Sequence, residues 1–284
     1  MEDHSKMKIA VLSGKGGTGK TTISTNLAKV MGWNYVDCDV EEPNGFIFLN
    51  PKITKTEKVS IPVPKIDTCK CIGCEKCVKI CQFNALAWVN KDVLLFDKLC
   101  HGCGACSLVC AYDAISEVDR EIGSINVGND DEITCMRGTL NIGEPMAVPI
   151  IRNLKKMIGN ENTIIDCSPG SACSVVASIE GVDYAVLVTE PTAFGLHDLK
   201  IAIELVRTMN IPFGIIINRG SNEKDLIEEY CEREKINILG KVMFHKDAAI
   251  LYSKGKLLVE HDRYKEIFLD LGKKVEEEIE CSLL

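Results

Sequence analysis

Eight cysteines stand in two runs of identical spacing, Cys71-x2-Cys74-x2-Cys77-x3-Cys81 and Cys100-x2-Cys103-x2-Cys106-x3-Cys110. Thiolates are soft ligands, and three of them on a short loop close around one iron–sulfur cubane. The fourth cysteine of such a run points across to the neighbouring cluster. One [4Fe–4S] cluster is therefore expected to take Cys71, Cys74, Cys77 and Cys110, and the other Cys100, Cys103, Cys106 and Cys81. Zinc is the competing use of four cysteines, but the doubled run is far more specific to clusters. The runs are copies of one unit. Cys71–Leu86 and Cys100–Ile115 agree at every cysteine, at one glycine and at one alanine, with aromatic and aliphatic residues in step. Units this small bury little core and are stapled by metal instead. Gln82 and Ala111 follow the fourth cysteines where proline is usual, which bears on potential and solvent exposure rather than on ligation. Cys69 is spare.

A second constellation lies near the start. Gly14-Lys15-Gly16-Gly17-Thr18-Gly19-Lys20-Thr21 satisfies G-x-x-x-x-G-K-[ST], with Thr22 continuing it. Glycines let backbone N–H groups turn inward around phosphate oxygens, and a following helix adds positive potential. Lys20 is suited to the outer phosphates and the Thr21 hydroxyl to Mg²⁺. The chemistry expected is Mg²⁺-dependent binding and hydrolysis of ATP.

The elements that must hold these residues are legible in outline. Lys8–Ser13 is a short apolar run that reads as a buried strand leading into the glycine-rich turn, and a helical pattern follows from Lys20. Further strands are expected at Asn34–Asp37, Thr163–Asp166, Tyr184–Thr189 and Phe213–Asn218, with helical patterns at His197–Met209 and Glu223–Glu234. Strands alternating with helices imply an α/β fold with a mostly parallel sheet covered on both faces. Ile61-Pro62-Val63-Pro64 is stiff and extended, the kind of segment that leads out of a domain. Residues 1–64 and 119–284 are thus expected to form one split ATPase domain, interrupted at 65–118 by a small inserted cysteine module.

Composition fits this division. Nine of the 15 cysteines fall between Cys69 and Cys110, so the excess is local. Met1–Lys6 is polar and lacks the apolar stretch of a leader, and cytosolic cysteine clusters usually bind metal, so a cytoplasmic location is expected. Net charge of −8 argues against broad nucleic-acid binding. Tyr264–Glu280 alternates Lys and Glu around Ile267, Phe268, Leu271 and Val275. It reads as an amphipathic packing helix, too acidic to anchor stably on an anionic membrane.

The Lys15–Thr22 segment, with its extra lysine, resembles the deviant Walker A motif of the MinD/ParA and nitrogenase iron protein class. That resemblance implies a P-loop NTPase fold and a nucleotide-dependent homodimer, in which Lys15 contacts phosphates, often those of the facing subunit. Val36-Asp37-Cys38-Asp39 resembles the first switch of the family, and the resemblance gives Asp39 the attacking water. Ile164 to Gly170 resembles the second switch, with Ser168 where a proline is commoner, and implies that Asp166 holds Mg²⁺ through water. Asn218 resembles the adenine-reading asparagine. Thr189-Glu190-Pro191-Thr192 also resembles the family, without a clear role. The cysteine module resembles a small α+β bacterial ferredoxin, and the whole chain resembles MinD-superfamily ATPases with an inserted ferredoxin domain.

Cys173 stands at the offset from the second-switch aspartate where the nitrogenase iron protein has a ligand to a cluster shared between subunits. That resemblance raises a bridged third cluster through Cys135 and Cys173, set against the plainer expectation that both are small buried residues. His101 and His197 are read as surface or cap residues. Three functions are open. Nucleotide state gates electron transfer through the two clusters to a redox or iron–sulfur protein partner. Alternatively the chain assembles or carries clusters, a reading lowered by the lack of the paired C-x-x-C of Mrp-type carriers. A third is a MinD/ParA-like positioning ATPase with a redox-sensitive docking module.

Overall fold

The computed structural model describes residues 6–130 and 133–283. Of the Met1–Lys6 expectation, only Lys6 falls within the described residues. The chain opens with β1 (Lys8–Leu12), α1 (Lys20–Met31), β2 (Asn34–Asp37) and α2 (Gly45–Leu49). Next come β3 (Lys52–Ile66), α3 (Lys76–Ile80), β4 (Leu86–Val89), β5 (Asp92–Leu95), α4 (Ala105–Leu108), β6 (Ile115–Asp130) and β7 (Ile133–Leu140). Then α5 (Val148–Met157), β8 (Thr163–Asp166), α6 (Cys173–Ile179), β9 (Tyr184–Thr189), α7 (Ala193–Thr208) and β10 (Phe213–Gly220) follow. The last are α8 (Leu226–Glu234), β11 (Ile238–Met243), α9 (Lys246–Ser253) and α10 (Asp262–Leu283).

Among the described residues, nine strands form one sheet in the order β11-β10-β9-β1-β8-β2-β7-β6-β3. All pairings from β11 to β7 are parallel, whereas β6 runs antiparallel to both β7 and β3. The central strands are apolar on both faces because helices cover both. On one side Ile150, Val175, Leu199 and Ile227 of α5 to α8 pack on the sheet; on the other, Ile23, Phe46 and Phe268 of α1, α2 and α10 do so. The mostly parallel, helix-covered sheet is the expected fold class.

α10 is the packing helix anticipated at the C-terminal end. Tyr264, Phe268, Leu271, Val275 and Ile279 are buried, and each such side chain contributes roughly 1.5–3 kcal/mol by leaving water. Among the described residues, no helix is long and apolar enough to cross a membrane.

The Ile61–Pro64 segment is extended, as expected, and lies where the β3–β6 pair runs on beyond β7, which meets β6 only over Gly123–Asp130. It belongs to β3, pairing Pro62 with Asp119 and Pro64 with Glu117. Proline is tolerated there because β3 is the sheet edge and needs no N–H on its outer side. The pairing continues through Lys65↔Ser116 to Ile66↔Ile115, so one β3–β6 ribbon runs out of the sheet into the cysteine-rich segment. There α3, α4 and the β4–β5 hairpin sit at the ribbon's end. α7 starts four residues before its periodicity suggests, because the Thr192 hydroxyl accepts from the Gly195 N–H at 2.9 Å and caps it.

Candidate functional site

β1 delivers the glycine-rich turn to the N-terminus of α1. Gly17 and Gly19 hold φ angles of 81° and 89°, a region that favours glycine. A Cβ on Gly19 would fall 2.1 Å from the Asn218 amide nitrogen, which donates to the Thr18 carbonyl at 2.8 Å. Asn218 thus fastens this turn to the end of β10. Gly16, Gly17, Gly19, Lys20, Thr21, Thr22, Asp39 and Asn218 all line one cavity of about 510 Å³. Gly14 lies outside it, packed so closely on the Asp198 carbonyl that a Cβ would sit 2.2 Å away. Thr18 Oγ1 is buried without a hydrogen-bond partner, an orphan that a bound oxygen-rich ligand would satisfy.

Beneath this cavity is a buried acidic group. Register places Asp37 beside Asp166 on adjacent parallel strands. Lys20 Nζ reaches Asp166 Oδ1 at 2.5 Å and lies 3.9 Å from Asp39. Burial works against the Lys20 charge, but Asp166, Asp39 and Asp37 more than offset it, and its pKa is raised. The Tyr35 hydroxyl donates to Asp166 at 2.9 Å, and burial pushes its own pKa well up. Asp37 accepts from the N–H groups of Asp39 and Gly45, at 3.1 and 3.0 Å. Burial, then the Asp166 charge, drive the Asp37 pKa up to about 8, with Lys20 opposing. Asp39 is raised to about 6, chiefly by burial. Lys15 points elsewhere: its ammonium is 2.6 Å from Glu190, which also pairs with Arg219 at 3.2 Å. Lys15 holds Glu190 below the usual carboxylate range.

The cysteines gather in the crossed sets that their spacing predicts. One small cavity is lined by Cys71, Cys74, Cys77 and Cys110; a second by Cys81, Cys100, Cys103 and Cys106. The repeat is equally visible in the backbone. Positive φ angles recur at Gly73 and Gly102, Glu75 and Gly104, and Asn84 and Asp113. Backbone N–H groups of Ala85 and Ala114 donate to Cys81 and Cys110 sulfur at 3.3 and 3.4 Å. Among the described residues, no three His, Cys, Asp or Glu side chains converge tightly enough for a single metal ion. Burial raises the Cys77 and Cys106 thiols, so ligation there must release protons.

The two sets of cysteines are alike in burial but differ in their neighbours. Cys100 belongs to the same buried cluster as Ile61, Ala85, Ile122 and Met146, on the sheet side. The Cys71 cavity has the exposed Ile72 and Tyr112 in its wall. His101 is exposed and stacks on Phe83, ring centroids 3.8 Å apart. His197 and Cys69 are exposed.

Cys135 and Cys173 are not brought together as a bridging pair. Cys135 is fully buried in β7 beside Tyr35, and burial pushes its thiol up to about 12. It cannot reach another chain. Cys173 is exposed at the start of α6, contrary to the expectation that both are buried. Sequence reading passed over Tyr35 and Asp37 as members of the acidic group. Their signal was the strand period of two, which puts them on one face of β2. Glu190 carries no local sign of its pairing with Lys15.

Residues 9–259 match the family described as the CobQ/CobB/MinD/ParA nucleotide binding domain. The chain is 34% identical over 254 residues to an uncharacterized protein of Methanocaldococcus jannaschii, covering 80% of this chain and 90% of that one. It is 24% identical over 263 residues to the iron–sulfur cluster carrier protein of Pyrococcus abyssi, covering 84% and 74% respectively. Among solved structures, the cell division ATPase MinD of Pyrococcus furiosus superposes with a TM-score of 0.59 at 16% identity, over 95% of this chain and 98% of that one. The septum site-determining protein MinD of Pyrococcus horikoshii, complexed with Mg-ADP, gives 0.57 at 15% identity, over 95% and 96%. The glycine turn, its fastening to β10 and a family match spanning most of the chain make it a member of the CobQ/CobB/MinD/ParA nucleotide-binding family, an ATPase on a MinD-like fold.

Proposed function

We propose that nucleotide state in this ATPase gates electron transfer through two [4Fe–4S] clusters to a protein partner in the cytoplasm. The observation that carries this reading is the pair of crossed four-cysteine cavities at the end of a ribbon that is itself part of the ATPase sheet. Cys71, Cys74, Cys77 and Cys110 would hold one cluster, and Cys81, Cys100, Cys103 and Cys106 the other. The clusters supply one-electron chemistry. The chain would supply ligation and backbone N–H groups on two of the sulfurs, both of which tune potential.

At the nucleotide site, Gly14 to Thr22 would cradle the phosphates of ATP and Asn218 would read the base. Lys20 would turn from Asp166 to the outer phosphates. Asp166, once freed, and Thr21 would hold Mg²⁺, and Asp39 would orient water. Lys15, released from Glu190, would meet the phosphates of a facing subunit in a nucleotide-dependent homodimer and neutralise charge as the γ-phosphoryl leaves.

The curated relatives named as iron–sulfur cluster carrier proteins support a second reading, in which clusters are delivered rather than used for relay. Anoxic purification separates the two. Gating is expected to give about eight irons per chain, clusters that resist chelators, and reduction of an acceptor only with ATP. Transfer of iron to an apo-acceptor, or reduction at the same rate without ATP, overturns gating.

A further inference from the structure

The first switch and the inner cysteine cavity are joined through one turn. The Leu140 N–H donates to the Val40 carbonyl at 2.8 Å, next to Asp39, so the end of β7 is tied to the switch. Directly after it, Asn141 N–H bonds the Ile122 carbonyl of β6 at 2.9 Å. Lys98 Nζ then bonds the Gly143 carbonyl at 3.0 Å, two residues before Cys100. Glu144, closing the turn, is buried and forms a two-point ion pair with Arg120.

Arg120 lies opposite Ile61 in the ribbon. Ile61 and Pro62 are also what the Cys100–Cys103 loop rests on, because a Cβ on Gly102 would lie 2.9 Å from the Pro62 carbonyl and 3.5 Å from Ile61 Cβ. Arg120 Nε is buried and has no hydrogen-bond partner. The Glu144 carboxylate raises the Arg120 guanidinium above its ordinary pKa. An N–H brought towards a cluster sulfur would stabilise the reduced, more negative state and raise its potential. The turn's contacts lead to the Cys100 loop, through Lys98 and through Ile61 and Pro62, and none of Arg120, Gly143 and Glu144 is in the wall of the Cys71 cavity.

We infer that the 141–144 turn and the Arg120–Glu144 pair transmit nucleotide state to the cluster held by Cys81, Cys100, Cys103 and Cys106, and not to the other. Displacement of Val40 on nucleotide binding moves Leu140 and the turn, and Glu144 carries Arg120 with respect to the sulfur. The two clusters then differ in kind: one is tuned by ATP, the other is a fixed relay. This rests on the two-cluster reading above.

The test is an EPR-monitored redox titration of the anaerobically prepared chain, with and without Mg²⁺ and a non-hydrolysable ATP analogue. Iron is counted first; a wild-type chain without about eight irons refutes the cluster reading itself. Given eight, one of the two reduction waves is expected to shift with nucleotide while the other stays. Arg120→Gln and Glu144→Gln are expected to abolish that shift while retaining iron and ATP hydrolysis, and Arg120→Lys to restore part of it. A purely structural role would lower thermal stability and leave the shift intact. No shift in the wild type, or a full shift in either iron-replete Gln variant, overturns the inference. Should Arg120→Gln not fold, Glu144→Gln decides.

Discussion

Lys20 and Asp166 form an ion pair closed to water: Nζ lies 2.5 Å from Oδ1, with the lysine side chain 7% and the aspartate 0% exposed. The lysine proposed for the nucleotide phosphates is thus already committed to the aspartate proposed for Mg²⁺. Phosphate and Mg²⁺ must arrive together, since either alone would strand the partner of the other. Breaking a buried pair on one side only costs about 3–5 kcal/mol.

Lys20→Ala is therefore expected to do two separable things. Nucleotide affinity should fall by roughly 10- to 100-fold, the loss of a charge-assisted hydrogen bond of about 1.5–3 kcal/mol. Thermal stability should fall as well, because Asp166 is left charged and buried. Adding Asp166→Asn should restore the melting temperature without restoring nucleotide binding. Calorimetry and thermal denaturation of the single and double variants check both.

Cys110→Ser should disturb the cluster nearest Cys71, although Cys110 follows Cys106 in the chain. Cys81→Ser should disturb the one nearest Cys100. EPR of each variant, compared with Cys74→Ser and Cys103→Ser, reads the crossing directly. Cys110→Ser behaving like Cys103→Ser would mean that each run closes on its own cluster.

Glu190→Gln removes the carboxylate that holds Lys15. Both side chains are partly exposed, at 32% for Lys15 and 16% for Glu190, and such a pair is worth about 0.2–1 kcal/mol. Nucleotide-dependent self-association, followed by light scattering, should strengthen by roughly 1.5- to 5-fold. Weaker association would assign Glu190 to the assembled state instead.

The buried carboxylates give a pH dependence of definite sign. Asp37 is raised from 3.8 to about 8 in the folded chain. Below its unfolded value both states are protonated and its contribution to stability is complete. As pH rises through the folded value the proton is lost and the contribution goes with it. The nucleotide-free and Mg²⁺-free chain should thus lose stability progressively as pH rises from 3.8 to about 8, and Asp37→Asn should flatten that slope. Denaturant midpoints across the range check the direction.

Cys173→Ser and Cys135→Ser should each leave iron per chain unchanged. The first is exposed without its supposed companion, and the second is enclosed between β2 and β6. Iron analysis decides, and a loss of iron in the Cys173 variant alone would reopen a shared site.

Much of this was written locally in the chain. The strands Asn34–Asp37, Thr163–Asp166 and Tyr184–Thr189 run where their apolar stretches put them, because strands buried on both faces need no partner to be recognised. The crossed cysteine sets follow from spacing for a similar reason: a short loop leaves its thiols few places to go. The β3–β6 ribbon was not read, although Val59, Ile61 and Val63 alternate with exposed residues at the strand period. Two prolines outweighed that alternation, and only the position of β3 at the sheet edge explains why they do no harm. Lys15 with Glu190, and Arg120 with Glu144, join residues far apart in the chain, so no local pattern announces them.

One ribbon both carries the cysteine module and forms the outermost strands of the sheet. These two duties separate at Val59 and Gly123, which face one another across the last rung beside β7. Joining them by a tight two-residue turn would excise the module as a hairpin tip and still leave β7 shielded from solvent. Removing the whole ribbon would bare the β7 backbone and invite sheet-to-sheet aggregation. The cysteine-rich tip can therefore be cut away without opening the sheet, whereas the paired strands beside β7 cannot.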